Sequence, residues 1–123
     1  NIGAFKSKAY DYVLNEINEI CDTAKVPVKV IVETSELDAD ELKTVCNLIN
    51  KSKATFLKTS TGFSSSGAKV EDIKLIRKYL SKDKKIKASG GIRDYASAVA
   101  MIEAGADRIG ASSSVKIVTE NNN

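Results

Sequence analysis

Lys58 and Lys87 have the setting in this sequence that most invites chemistry. Each stands near the end of a short apolar run, ATFLK and KIKA, and each is followed by small residues. Thr59-Ser60-Thr61-Gly62 follows Lys58, and Ala88-Ser89-Gly90-Gly91 follows Lys87. A lysine at a strand end either snorkels its ammonium to water or acts as a nucleophile. For the second role an amine with an ordinary pKa near ~10.4 must shed its proton. A second ammonium a few Å away, with partial desolvation, disfavours the charged form and frees the lone pair. Lys87 is placed to supply that field to Lys58, which makes Lys58 the candidate for attack on a carbonyl through an imine. His is absent, so most triads, His-based zinc sites and His acid–base chemistry are excluded.

A second constellation is SGGIRD followed by ADRIGASSS. The Gly90-Gly91 turn lets backbone N–H groups approach a ligand closely. Gly110 and the helix start at Ser112 or Ser113 offer further donors and a positive dipole end. These are either a phosphate cradle on consecutive strand–helix loops or simply tight turns and caps. Neither G-x-G-x-x-G nor a P-loop is present. Arg93 either assists a phosphate or pairs with Asp94. Glu33 is a pocket carboxylate, or binds backbone amides or a lysine. Of the Lys82, Lys84, Lys85 and Lys87 cluster, the first three read as a solvated turn and strand start. Tyr10, Tyr12, Tyr79 and Tyr95 read as helix packing residues. Cys21 and Cys46 form no C-x-x-C and read as buried free thiols in a reducing compartment.

The elements that must position these groups are legible from periodicity. Tyr10, Val13, Leu14, Ile17, Ile20 and Cys21 lie at helical spacing over 9–24, and Pro27 closes that helix. VKVIVE (28–33) is a β-branched strand. Asp38 with Glu41 forms a capping box before a helix carrying Leu42, Val45, Cys46 and Ile49. A strand at 54–58, a helix at 70–80, a strand at 86–89 and a helix from Asp94 to Ala104 follow. Gly105 is a natural C′ residue, a strand at 107–111 comes next, and a short helix ends the pattern. Asn121–Asn123 read as a frayed tail. Strand–helix units recur about every 25–30 residues, the size of one βα unit, and predict an all-parallel sheet. It is either a small doubly wound sheet or about half of a (β/α)8 barrel, since a whole barrel needs roughly 200 residues or more.

Composition agrees with one globular domain: 123 residues, 42% hydrophobic, 28% charged and a single Pro. Lys plus Arg number 19 against 16 acidic residues, a net charge of +3. That excess suits anionic small molecules and does not argue for nucleic acid. No apolar stretch approaches the roughly 18 residues of a membrane span and no secretory leader opens the chain, so a cytoplasmic location is expected.

FLKTSTGF, KASGGIRD and ADRIGASS, in this order and with VKVIVET and NIGAFKS before them, resemble the deoxyribose-phosphate aldolase family of class I aldolases. The likeness runs over residues 1–120 and covers the second half of the family's TIM barrel. It implies reversible cleavage of 2-deoxy-D-ribose 5-phosphate into acetaldehyde and D-glyceraldehyde 3-phosphate, without metal or organic cofactor, in deoxyribonucleotide catabolism. It implies that Lys58 forms the imine and that Lys87 lowers its pKa and joins the proton transfers. Gly62, Gly90, Gly91, Gly110, Ser112 and Ser113 would hold the phosphate of a small sugar. The family's catalytic aspartate belongs just upstream of Asn1, and Phe63 stands where some members carry a phosphate-binding lysine. The 123 residues alone are therefore expected to be inactive, and to need the N-terminal half of the barrel or self-association. A non-catalytic phosphate-binding half-barrel and an α/β interaction domain are the competing readings.

Overall fold

The computed structural model describes residues 1–120; the expected Asn tail at 121–123 lies outside the described residues. Two helices open the chain, α1 (Ile2–Lys6) and α2 (Tyr10–Ala24). Four strand–helix units follow: β1 (Lys29–Ile31) with α3 (Ala39–Lys51), β2 (Phe56–Lys58) with α4 (Val70–Tyr79), β3 (Lys85–Ser89) with α5 (Tyr95–Ala104), and β4 (Arg108–Gly110) with α6 (Ser114–Glu120). A 3-10 turn, Thr34–Glu36, lies between β1 and α3.

The strands pair in parallel in the order β1-β2-β3-β4. That order decides between the two expected architectures. A doubly wound sheet reverses strand order at a switch point and carries helices on both faces. Here every right-handed crossover advances the same way, so the helices fall on one face, as in a barrel.

Strand alternation divides the side chains accordingly. Val30, Leu57, Ile86, Ala88 and Ile109 point to the helices and join one hydrophobic cluster with Cys46 and Ile49 of α3 and Ile73 and Ile76 of α4. Leu57, Ile86, Ile49, Ile73 and Ile76 are wholly buried, each contributing about 1.5–3 kcal/mol relative to exposure. Lys29, Phe56, Lys58, Lys85, Lys87 and Arg108 point the other way.

The caps fall where the sequence places them. Asp38 accepts from the Glu41 amide at 2.8 Å while Glu41 accepts from the Asp38 amide at 3.1 Å, completing the capping box. Asp94 accepts from the Ser97 amide at 2.7 Å rather than pairing with Arg93. Gly105 ends α5 at φ 124°.

Several expectations need correction. The opening segment forms α1, capped by the Asn1 side chain on the Ala4 amide, a helix too short for periodicity to reveal. The first strand stops at Ile31 because Glu33 takes a left-handed φ of 55° and starts the 3-10 turn. Tyr12 is 58% exposed and Tyr95 39% exposed, so neither is a packing residue; Tyr10 packs on Phe5 at 5.5 Å between ring centroids. Cys46 is buried but Cys21 is only half-buried, and both thiols are free. Lys84 is buried rather than solvated, its Nζ donating to the carbonyl oxygens of Ser52 and Ala54, both at 2.7 Å. It ties the end of α3 and the entry to β2 to the foot of β3. Lys84→Ala should cost about 1–3 kcal/mol in urea unfolding, the penalty for stranding buried acceptors. Lys82→Ala, at an exposed neighbour, should cost close to nothing; equal losses would contradict the assignment.

Candidate active site

Lys58 pairs with Lys87 across the β2–β3 ladder, in the same register that sets Leu57 beside Ile86. Two ammoniums thus stand side by side at the C-terminal rim of the sheet, on the face away from the helices. Lys87 carries the electrostatic consequence: desolvation first, then the charges of Lys58, Lys29 and Arg108, hold its pKa below the ordinary lysine value of 10.5. Gly110 makes room for it. A Cβ there would stand 2.8 Å from the Lys87 Cε and 3.1 Å from the Ser89 Cβ, so a side chain at this position would push the end of the lysine aside.

The loops behind the lysines are locked by hydroxyls. The Thr59 Oγ1 donates to the Ser89 carbonyl and accepts from the Ser89 amide, both at 3.1 Å. Ser60 donates to the same Thr59 oxygen at 3.0 Å, and the Ser89 hydroxyl donates to the Ser60 carbonyl at 2.8 Å. Thr59 and Ser60 are wholly buried. The segments that follow the two lysines therefore form one unit. Gly67 and Gly90 let the loops cross: a Cβ on Gly67 would lie 2.1 Å from the Gly90 oxygen. The Ala68 amide donates to the carbonyls of Ser89 and Gly90, both at 3.0 Å.

Glu33 is engaged with Thr61, not with a lysine. Its Oε2 accepts from the Thr61 hydroxyl at 2.6 Å, and its Oε1 accepts from the Thr61 amide at 3.2 Å. The Thr61 Oγ1 in turn accepts from the Phe63 amide at 3.1 Å, fixing the turn that contains Gly62. Of the alternatives open for Glu33, binding of a backbone amide is the one found; the roles of Thr59 and Ser60 were not singled out in the sequence, where hydroxyl-rich loops look alike.

Together these elements enclose a cleft of about 420 Å³. Lys58, Lys87, Gly62, Gly90, Gly91, Gly110 and Ser112 line it, joined by Thr61 and Arg93. Ser113 does not; its carbonyl takes the first helical bond of α6, from the Ile117 amide at 3.0 Å. Phe63 is 98% exposed and also lies outside the lining. The α6 helix has only 7 residues, so its dipole adds less than expected and the donors are those of the turns. Among the described residues no carboxylate lines the cleft. Asp22 on α2 is paired with Lys53 at 2.6 Å. Burial pushes the Cys46 thiol up to about 12, which removes it as a nucleophile.

No family model matches the chain. Curated relatives do. The deoxyribose-phosphate aldolase of Thermococcus kodakarensis is 51% identical over 121 residues, covering 96% of this chain and 54% of its own length. The chain is a homologue of the deoxyribose-phosphate aldolases. It spans about half the length of the curated relatives it matches. A solved aldolase, QR15, superposes with a TM-score of 0.94 at 46% identity, covering 99% of this chain and 56% of its own. The deoxyribose phosphate aldolase of Aeropyrum pernix, described as tetrameric, gives 0.84 at 32% identity, covering 92% and 50%. The four parallel strands and their helices are half of a (β/α)8 barrel. Among the described residues no helix is long and apolar enough to cross a membrane.

The depressed Lys87 has a consequence for stability. In the interval between its folded pKa and 10.5 the unfolded chain binds more protons, so stability rises with pH there; below it the repulsion is fully present. Lys87→Met should therefore raise the melting temperature at pH 7 in low salt, and the gain should shrink as pH approaches 10.5. A gain independent of pH would show that it comes from packing alone.

Proposed function

We propose that this chain carries the imine-forming lysine and phosphate site of a class I aldolase that cleaves 2-deoxy-D-ribose 5-phosphate. The register that sets Lys58 against Lys87 at the mouth of a glycine-lined cleft is the observation that carries this reading. Kinship with deoxyribose-phosphate aldolases supplies the substrate. A reducing cytoplasm suits the two free thiols.

In this mechanism the Lys58 amine attacks the aldehyde carbon of the open-chain sugar. Lys87, held as the free amine more readily than an ordinary lysine, takes the proton that the Lys58 nitrogen releases once it has added to the carbonyl, and returns it to the departing hydroxyl. Loss of water leaves an iminium, which accepts the electron pair of the C2–C3 bond as that bond breaks. The C3 hydroxyl loses its proton to a base and becomes the aldehyde of glyceraldehyde 3-phosphate. The enamine left on Lys58 is protonated at C2 and hydrolysed to acetaldehyde. The amides at Gly62, the Gly90-Gly91 turn, Gly110 and Ser112 hold the phosphate, with Arg93 adding charge; Ser113, outside the lining, supports the turn. The electron sink is the iminium, so none of these steps calls for a metal or organic cofactor.

The base for the C3 hydroxyl is not among the residues lining the cleft, and a missing general base typically removes about 10²–10⁴-fold of rate. The 123-residue chain is accordingly proposed to form the imine and to turn over poorly by itself. Acetaldehyde with borohydride should add an ethyl group at Lys58 ahead of the exposed lysines, and Lys58→Leu should abolish that label. Peptide mapping that placed the ethyl group on Lys87 would reverse the two roles.

A further inference from the structure

Glu33 is a buried carboxylate to which the proposed chemistry gives no task. It is 6% exposed, and its backbone takes a left-handed φ of 55° and ψ of 71°. A residue with a Cβ adopts that conformation at a cost, and keeps it only where the surroundings require it. The side chain crosses from the turn after β1 to the loop after β2. There its two oxygens accept from the Thr61 amide and the Thr61 hydroxyl. Thr61 passes the constraint on, since its Oγ1 accepts from the Phe63 amide at 3.1 Å. A second latch joins the same two segments. The Ser64 hydroxyl donates to the Glu36 carboxylate at 2.7 Å and accepts from the Ser35 hydroxyl at 2.8 Å.

Packing does little to hold the turn that contains Gly62. Phe63 is 98% exposed, and a Cβ on Gly62 would meet nothing within 4 Å. The polar latches from residues 33–36 therefore set its shape, and they also decide which of its amides is free. Glu33 takes the Thr61 amide, and the Thr61 hydroxyl takes the Phe63 amide. The Gly62 amide between them has no partner among the described residues. Gly62 sits at φ 96°, a value that favours glycine, and it lines the cleft.

We infer that Glu33 is a positioning residue of the phosphate site: by occupying the Thr61 amide and hydroxyl it holds the Gly62 amide ready for a phosphate oxygen. The inference rests on the phosphate site proposed above and not on the imine at Lys58. Charge and positioning make opposite demands here. A carboxylate near a bound phosphate repels it, so charge alone predicts that removing Glu33 tightens phosphate binding. Positioning predicts the reverse, because a donor turned away from its acceptor makes a steeply weaker hydrogen bond. A short bond to an ionised acceptor, 2.6 Å from the Thr61 hydroxyl, suits the task.

Inorganic phosphate titrated into the 123-residue chain, with the backbone amides followed by NMR, separates the two. The Gly62 amide of the wild-type chain should shift saturably. Glu33→Ala should weaken phosphate binding about tenfold or more, the worth of one hydrogen bond to a charged group. Glu33→Gln keeps an acceptor for the Thr61 amide and should fall between. Thr61→Val and Thr61→Ser leave the carboxylate in place and decide the matter if position 33 does not tolerate change: valine should weaken phosphate binding and serine should keep it. Acetaldehyde labelling of Lys58 with borohydride should match wild type in the Glu33 variants, since acetaldehyde carries no phosphate. Phosphate bound as tightly or more tightly by Glu33→Ala would overturn the inference, as would a Thr61→Val chain with wild-type affinity. Gly90 and Gly91 amides that respond to phosphate while Gly62 does not would overturn it and keep the phosphate site. A cleft with no response at all would overturn both. Phosphate binding at Gly62 that depends on Glu33, in a chain that forms no imine, would uphold the inference and refute the role of Lys58.

Discussion

Two like charges are held side by side because the ladder between β2 and β3 gives them no alternative. A shift of one residue would turn Lys58 into the helix layer and expose Leu57, so the hydrophobic pattern that buries Leu57 and Ile86 also holds Lys58 against Lys87. The hydroxyl lattice of Thr59, Ser60 and Ser89 then ties the two strand ends together beyond the last ladder bond. Repulsion that would drive a pair of surface lysines away from each other is here opposed by a buried core and several hydrogen bonds. Desolvation first, and this repulsion with it, leave Lys87 an amine that releases its proton more easily than an ordinary lysine.

The same alternation that positions the pair also fills the lower inner face with cations, and the sheet has segregated its chemistry by side. The helix side is apolar and well packed, with Leu57, Ile86 and Ala88 fully buried. The inner side is charged and aromatic, and its Phe56 is sheltered by ammonium and guanidinium groups.

Much of this was legible in the residues. The βα rhythm, the capping box at Asp38 and Glu41, the glycine ending α5 and the matched lysines all follow from local rules. Strand order was not legible, because periodicity finds strands but does not pair them; the sequential order β1-β2-β3-β4 is what excluded the doubly wound sheet. Lys84 was misread because nothing local distinguishes a lysine reaching two carbonyls from its solvated neighbours. Thr59 and Ser60 were opaque for a related reason: their partners lie about 30 positions away; for Glu33 the sequence left three roles open, and the choice of the Thr61 amide came from a loop 28 positions on. The cations around Phe56 were not legible either: register sets Lys29 and Lys85 beside it, and Arg108, in register with Lys87, reaches it only through its long side chain.

The coupling of Lys58 and Lys87 can be read directly from their protons. Side-chain NMR of the lysine Cε and Nζ atoms, followed against pH in the folded chain, resolves each amine. If the two share one field, Lys87 titrates below exposed lysines such as Lys53, and Lys58→Leu moves its midpoint upward. A Lys87 that titrates with the surface lysines, and is indifferent to loss of Lys58, would contradict the claim that these two charges act on one another.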